Sequence, residues 1–164
     1  MQLTIMSLAE ARSTEKLFTH LISVIEPKYH SIIPDLGIPQ ERRLLLVCDD
    51  TSDPDPDEWS PRPPTKKLVA EGLAFAQSLP EDASLLVHCF AGVSRSVALA
   101  YAVLCQAYPT KNEKSVLHQV LMLRRSAIPN PLIVAYADEL LERYGHMNEA
   151  VVGYLRTVRE SSDD

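Results

Sequence analysis

The sequence predicts an α/β domain with a mainly parallel central sheet flanked by helices. Three observations carry that expectation. Short continuous apolar runs, Arg43 to Cys48 and Leu85-Leu86-Val87, have the length and composition of buried strands. Longer stretches with helical periodicity follow them in the chain, Lys66 to Leu79 and Arg95 to Tyr108. Strands that alternate with helices in this way pair in parallel, because the helix carries the crossover.

The elements follow in order. Leu3, Ile5 and Met6 predict a first strand, and Ser7 caps a short helical turn from Leu8 to Lys16. Thr19 to Ile25 alternates loosely and reads as a second strand. Pro27, Pro34 and Pro39 make the next stretch a loop with little helix. Arg43 to Cys48 reads as a buried parallel strand. From Asp49 to Thr65 the chain is dense in aspartate and proline, which predicts a mobile surface loop. Thr65 caps a helix through Leu79 whose stripe is Leu68, Val69, Gly72, Leu73, Phe75, Ala76 and Leu79. A helix from Arg95 stops at Tyr108-Pro109. Thr110 to Glu113 has the capping-box pattern, so another helix runs to about Arg125. Residues 126–131 form a turn. A helix from Leu132 to Tyr144 is closed by Gly145, and Asn148 caps a last one through Val158.

Composition narrows the function. With 164 residues, 46% of them hydrophobic, the chain can bury a sizeable core; we expect one domain over 1–164 with a frayed tail over 160–164. A formal net charge of −6 argues against non-specific nucleic-acid binding, so no nucleic-acid partner is expected. No apolar run approaches the length of a membrane span, and residues 1–16 lack the basic and apolar regions of a secretory signal. Cys48, Cys89 and Cys105 are odd in number and scattered, which fits a reducing cytoplasm. The histidines show no ligand spacing with the cysteines, so neither a metal nor another cofactor is expected.

One stretch, HCFAGVSRS from His88 to Ser96, carries the chemistry. It leaves a predicted strand, turns at Gly92 and enters a helix at Arg95. Loop and first-turn N–H groups in such a turn have no helical acceptors and point into one hollow, an anion site. Cys89 sits at its base; near a positive helix end and a guanidinium a thiol is favoured as its nucleophilic thiolate. Arg95 presents a planar fork to two oxygens of a phosphate. The stretch is not a nucleotide-binding P-loop, since no glycine precedes a lysine, and no Gly-x-Ser-x-Gly elbow occurs.

The spacing Cys-x5-Arg followed by Ser, with His before Cys, resembles the signature of cysteine-dependent protein tyrosine phosphatases. The Gly-x-Ser-Arg-Ser ending is most similar to their dual-specificity branch. That resemblance implies a dual-specificity phosphatase-like fold and a cysteinyl-phosphate intermediate. It assigns Cys89, Arg95 and Ser96 to catalysis, Ser96 by stabilising the departing thiolate. Phe90, Ala91, Gly92, Val93 and Ser94 join Arg95 in binding the substrate, and His88 braces the loop. Asn130, in Pro129-Asn130-Pro131, resembles the asparagine that braces the phosphate loop. Ser94 bonds backbone or Cys89, and Gly92 supplies a conformation that a Cβ would penalise.

The leaving oxygen needs a proton from a carboxylic acid. Asp49, Asp50, Asp53, Asp55 and Asp57 are candidates; Asp50-Thr51, just past a strand end, resembles the family's acid position, and Asp53 and Asp57 are the next choices. Arg124 or Arg125 offers charge to a substrate or simply a solvated helix end. The substrate is a phosphorylated protein or other phosphomonoester: phosphotyrosine most simply, with phosphoserine, phosphothreonine, inositol phosphates and RNA 5′-phosphates open. Two readings of other classes compete, a phosphate-recognising module without turnover and a thiol-dependent oxyanion reductase. Cys48 is either a small buried hydrophobe or, if its strand neighbours the one ending at His88, a partner that traps oxidised Cys89.

Overall fold

A computed structural model describes residues 1–125 and 127–160. Four strands, β1 (Gln2–Ser7), β2 (His20–Ile25), β3 (Arg43–Val47) and β4 (Ser84–Cys89), form one sheet in the order β1-β4-β2-β3. Every pairing is parallel. The helices are α1 (Leu8–Ser13), α2 (Lys66–Gln77), α3 (Arg95–Ala107), α4 (Glu113–Leu123), α5 (Pro131–Leu140) and α6 (His146–Glu160).

The two-residue period of the strands divides the core. Ile22, Val24, Leu85 and Val87 share one face and pack in the larger core with Val69 and Leu73 of α2, Leu99 and Val103 of α3, and Val134 of α5. Leu21 and Leu86 face the other way, against Ala11 of α1 and Ile38. Helix α3 lies along the sheet and is buried from Arg95 through Cys105, so its sequence is apolar all round rather than striped. The expected helices on both faces reduce, on the second face, to α1 and the irregular 26–42 segment. That segment, expected as a loop with little helix, holds two 3₁₀ turns, Pro27–Ile32 and Gln40–Arg42. Among the described residues no helix is long and apolar enough to cross a membrane.

Several boundaries differ from expectation, each for a local reason. β3 is an edge strand, so of its residues only Leu46 is buried and Leu45 is 43% exposed. Helix α1 ends at Ser13 because Thr14 is extended. Helix α4 is capped by the Asn112 side chain, which accepts from Lys114 N, and not by Thr110. Helix α5 stops at Leu140 rather than Tyr144. Glu142 and Tyr144, with Gly145, take positive φ, and the buried Asp138 carboxylate accepts from Gly145 N and Met147 N. Those bonds open α6 at His146, which leaves Asn148 inside the helix. Ser126 of the expected 126–131 turn and 161–164 of the expected frayed tail lie outside the described residues; Glu160 ends α6.

One cross-strand pair ties the sheet to the site. Ser23 of β2 stands opposite His88 of β4, and Ser23 Oγ lies 2.7 Å from His88 Nε2. The other ring nitrogen, Nδ1, faces the Cys89 carbonyl at 3.4 Å. A carbonyl only accepts, so Nδ1 carries the proton and Nε2 accepts from the Ser23 hydroxyl. Burial pushes the imidazole below its ordinary value of 6.5 and the bond to Cys89 O opposes that only in part, so the ring is held neutral. The unfolded chain therefore takes up a proton first. Stability should be complete above the ordinary imidazole value and fall as pH drops from there toward the lowered folded one. Urea midpoints measured from about pH 8 to pH 5 should decline on acidification, and less so in His88→Gln. His20 is pushed the same way by burial, so the difference between the two proteins isolates the His88 share. Parallel curves would remove the assignment.

Candidate active site

The carboxyl ends of the central strands converge on the 88–96 stretch. Cys89 is the last residue of β4 and is 1% exposed. Its Sγ accepts from Gly92 N at 3.2 Å and lies 3.1 Å from Ser96 Oγ, so two groups of the following turn and helix face the sulfur. Gly92 has φ +71°, and a Cβ there would stand 2.5 Å from Ser7 N and 2.7 Å from the Met6 carbonyl carbon. Both the handedness and the space exclude a side chain, as expected.

The loop is braced from outside. Leu8 N donates to Phe90 O at 3.0 Å, and Ile128 N donates to Val93 O at 2.8 Å. Arg124 Nη2 donates to Ala91 O at 3.3 Å, while its Nη1 is 2.8 Å from Glu10 Oε1. The bond to Arg124, with that from Ser7 N, holds the Glu10 carboxyl down to about 2. Arg124 is thus a strut between α1 and the loop. The Phe90 side chain is 46% exposed and stacks on Tyr29 at 4.5 Å between centroids.

Arg95 is the first residue of α3 and is 2% exposed. Its Nη1 donates to Cys48 O at 2.7 Å. Glu26, at the end of β2, brings Oε2 to 3.0 Å from the same Nη1, close enough for an ion pair but not aligned for a hydrogen bond. Burial works against the guanidinium charge, but the Glu26 carboxylate outweighs it, and the group stays protonated above its ordinary value. Its Nε is buried and hydrogen-bonds to no acceptor among the described residues.

Of the five candidate acids, Asp50 alone bonds to the phosphate-loop stretch. Its Oδ1 accepts from Ser94 Oγ at 2.7 Å and from Asn130 Nδ2 at 2.8 Å, and its Oδ2 is 3.8 Å from Arg95 Nε. Asp49 instead accepts from Arg62 N, and Asp53 and Asp57 accept from nearby backbone within their own loop. Ser94 occupies the cap position of α3 yet makes no capping bond, because its hydroxyl is used on Asp50, not on backbone or Cys89. The backbone N–H of Asn130 donates to Ser94 O at 3.3 Å, which ties the loop directly to the start of α5.

The three cysteines are free and buried. β2 lies between β3 and β4, so the strands leading to Cys48 and Cys89 are not neighbours. Two strand spacings of about 4.8 Å exceed the roughly 7 Å limit for Cα atoms of a disulfide. Burial also pushes the Cys48 thiol up to about 12. The expectation that Cys48 emerges beside Cys89 as a trapping partner is therefore corrected; its carbonyl, not its sulfur, serves the site.

Glu26 and Ser23 went unread in the sequence. Glu26 carried one legible signal: a lone acid closing the apolar run His20 to Ile25, immediately before Pro27. Ser23, a single hydroxyl within that run, becomes meaningful only once the register sets it opposite His88.

No family model matches the chain. Over 101 residues it is 37% identical to the tyrosine-protein phosphatase yvh1 of Schizosaccharomyces pombe, a match that takes in 61% of this chain and 28% of that protein. The chain therefore spans little more than a quarter of that relative. Among solved structures, the human tyrosine phosphatase-like serine/threonine/tyrosine-interacting protein superposes with a TM-score of 0.66 at 22% identity, over 87% of this chain and 92% of that one. Human DUSP28 superposes with a TM-score of 0.63 at 20% identity, over 87% and 89%. Likenesses at this identity establish the fold: an α/β domain built on a parallel four-stranded sheet, as in dual-specificity phosphatases. The chain thus has the fold of the dual-specificity phosphatases and, over 101 residues, sequence similarity to a tyrosine-protein phosphatase.

Proposed function

We propose that the protein is a phosphomonoester hydrolase, a protein tyrosine or dual-specificity phosphatase that works through a cysteinyl-phosphate intermediate. One observation carries the reading. A buried arginine keeps Nε without a protein acceptor, on the same loop as a cysteine sulfur that faces a backbone N–H and a serine hydroxyl. Such a site offers donors to an oxyanion and a sulfur to its phosphorus.

In the first half-reaction the Cys89 thiolate forms the S–P bond as the P–O ester bond breaks. Asp50 gives its proton to the departing oxygen, because an unprotonated alkoxide or phenolate leaves poorly. In the second, water attacks phosphorus, Asp50 takes a water proton, and the S–P bond breaks to return the thiolate. Ser96 Oγ is close enough to donate to that sulfur as its charge returns. Arg95 holds two equatorial oxygens with its fork, and the backbone of Phe90 to Ser94 surrounds the third. The reading needs no metal and no organic cofactor.

A phosphorylated tyrosine in a protein is the simplest substrate. Phe90, Ala91 and Val93 bring no extra cation to the loop, which weighs against a substrate carrying several phosphates. Intact Cys89 and Arg95 weigh against a module that binds without turnover, and the distance between the Cys48 and Cys89 strands against a thiol-based reductase. Three free thiols fit a reducing compartment, the cytoplasm. The residues over 1–164 act as one domain in this reading.

Cys89→Ser should abolish turnover of an aryl phosphate in the presence of EDTA while retaining most of the affinity for inorganic phosphate, since Arg95 and the loop remain. Arg95→Lys should lose both, because an ammonium lacks the planar fork. Retention of most of the activity in Cys89→Ser would sink the mechanism.

Asp50→Asn should lower kcat on phenyl and alkyl phosphates by roughly 10²–10⁴ and remove the alkaline limb of the pH–rate profile. Substrates whose leaving groups need no proton should suffer less. The same pattern in Asp53→Asn or Asp57→Asn, and its absence in Asp50→Asn, would move the acid elsewhere in the loop.

A further inference from the structure

We propose that the loop over 51–60 is a docking arm for cations: the substrate is a phosphorylated protein segment that carries lysine or arginine close to its phosphate. The inference rests on the hydrolase reading given above and narrows its substrate. The phosphate end is Arg95, which is 2% exposed. Its Nε has no acceptor among the described residues and stands 3.8 Å from Asp50 Oδ2. A phosphoryl oxygen held by that donor therefore lies beside the acid from which the loop departs. The root of the loop is fixed at the same place. Asp49 N donates to Arg62 O and Arg62 N donates to Asp49 Oδ2, each at 2.8 Å, so the chain leaves and returns at one point.

Between those ends stand Asp53, Asp55, Asp57 and Glu58, all exposed and none paired with a cation among the described residues. Asp53 and Asp57 accept from backbone N–H groups of the loop, which fixes their direction and leaves their charge. Trp59, 86% exposed, follows them and offers a ring face to a cation. Three residues span at most about 11 Å, so Asp53 stands near the roughly 8 Å over which physiological salt screens a charge from Asp50. The guanidiniums that touch the phosphate loop are already matched by carboxylates, Arg95 by Glu26 and Arg124 by Glu10. The chain as a whole carries −6. A bare dianion is repelled on approach, whereas one that brings its own cations is drawn to the loop. Such a segment sets its phosphate on Arg95 and its lysines or arginines on the arm.

Two phosphotyrosine peptides that differ only in their flanks, lysines in one and glutamates in the other, test the arm. kcat/KM is read for each at low salt and at about 1 M, where screening shrinks to roughly 3 Å. We expect the lysine peptide to be favoured roughly ten- to a hundredfold at low salt and the advantage to fade at high salt. Asp55→Lys with Glu58→Lys reverses charges whose carboxylates accept no hydrogen bond among the described residues, so the loop keeps its turns. In that variant the preference should vanish or invert, while kcat on phenyl phosphate, which has no flank, stays at the wild-type value. If it fails to fold, Asp55→Asn with Glu58→Gln takes its place, with a reduced preference expected. Equal kcat/KM for the two peptides, or a preference untouched by the charge changes, would overturn the arm and leave the hydrolase reading intact. Both peptides are also titrated into Cys89→Ser. No turnover by the wild-type protein, with the lysine peptide still bound more tightly, would overturn the hydrolase reading and support the arm; no turnover and equal binding would remove both.

Discussion

The structure depends on keeping one permanent charge, the Arg95 guanidinium, inside the protein. An isolated buried cation costs several kcal/mol or more, and arginine cannot shed its proton to escape that cost. The strand ends supply the compensation. β2 leads to Glu26, which forms the ion pair; β3 leads to Cys48, whose carbonyl accepts, and then to Asp50. β4 ends on Cys89, and the turn beyond it delivers Arg95 itself. Parallel pairing brings these ends to one edge, which is why strands distant in sequence meet there. Even so Nε is left without an acceptor, and this donor is the one most directly available to an oxyanion.

The turn that presents the cysteine is held by contacts its own sequence does not contain. Gly92 lies against the backbone of Met6 and Ser7, so β1 and the start of α1 set how tightly the loop can fold. Ser7 closes α1 through a reciprocal capping box with Glu10, and Glu10 then reaches Arg124, which holds Ala91 O. One chain of bonds thus runs from the first helix cap through α4's end to the phosphate loop. On the opposite side Ile128 and Asn130 fasten Val93 and Ser94. A loop clamped on both sides keeps its N–H groups aimed before any ligand arrives, which is the condition for strong electrostatic stabilisation.

Local chemistry was legible in the sequence and long-range pairing was not. Ser7, Thr65 and the Cys89 to Ser96 spacing speak through neighbours a few residues away, and each lies where the sequence predicts. The parallel sheet also followed from alternation alone. The order of its strands did not: an apolar run such as Arg43 to Val47 reads the same at an edge as in the middle, so the sequence admits Cys48 as a neighbour of Cys89 and the sheet does not. The end of α5 was missed because Asp138, eight residues before His146, captures the next helix's N–H groups from a distance. Glu26 and Ser23 acquire their partners only through register. The resemblance makes Asn130 a brace for the loop; its backbone N–H donates to Ser94 O, while its side chain donates to Asp50.

The same arrangement sets two carboxyl groups, Glu26 and Asp50, against one guanidinium, that of Arg95. Glu26 pairs with Nη1, so its charge is balanced within the protein. Asp50 Oδ2 lies 3.8 Å from Nε, beyond hydrogen-bond reach, so it neither saturates that donor nor blocks it. In the proposed reaction the phosphate dianion takes that free Nε, Arg95 stays paired with Glu26, and the proton on Asp50 is the one that moves.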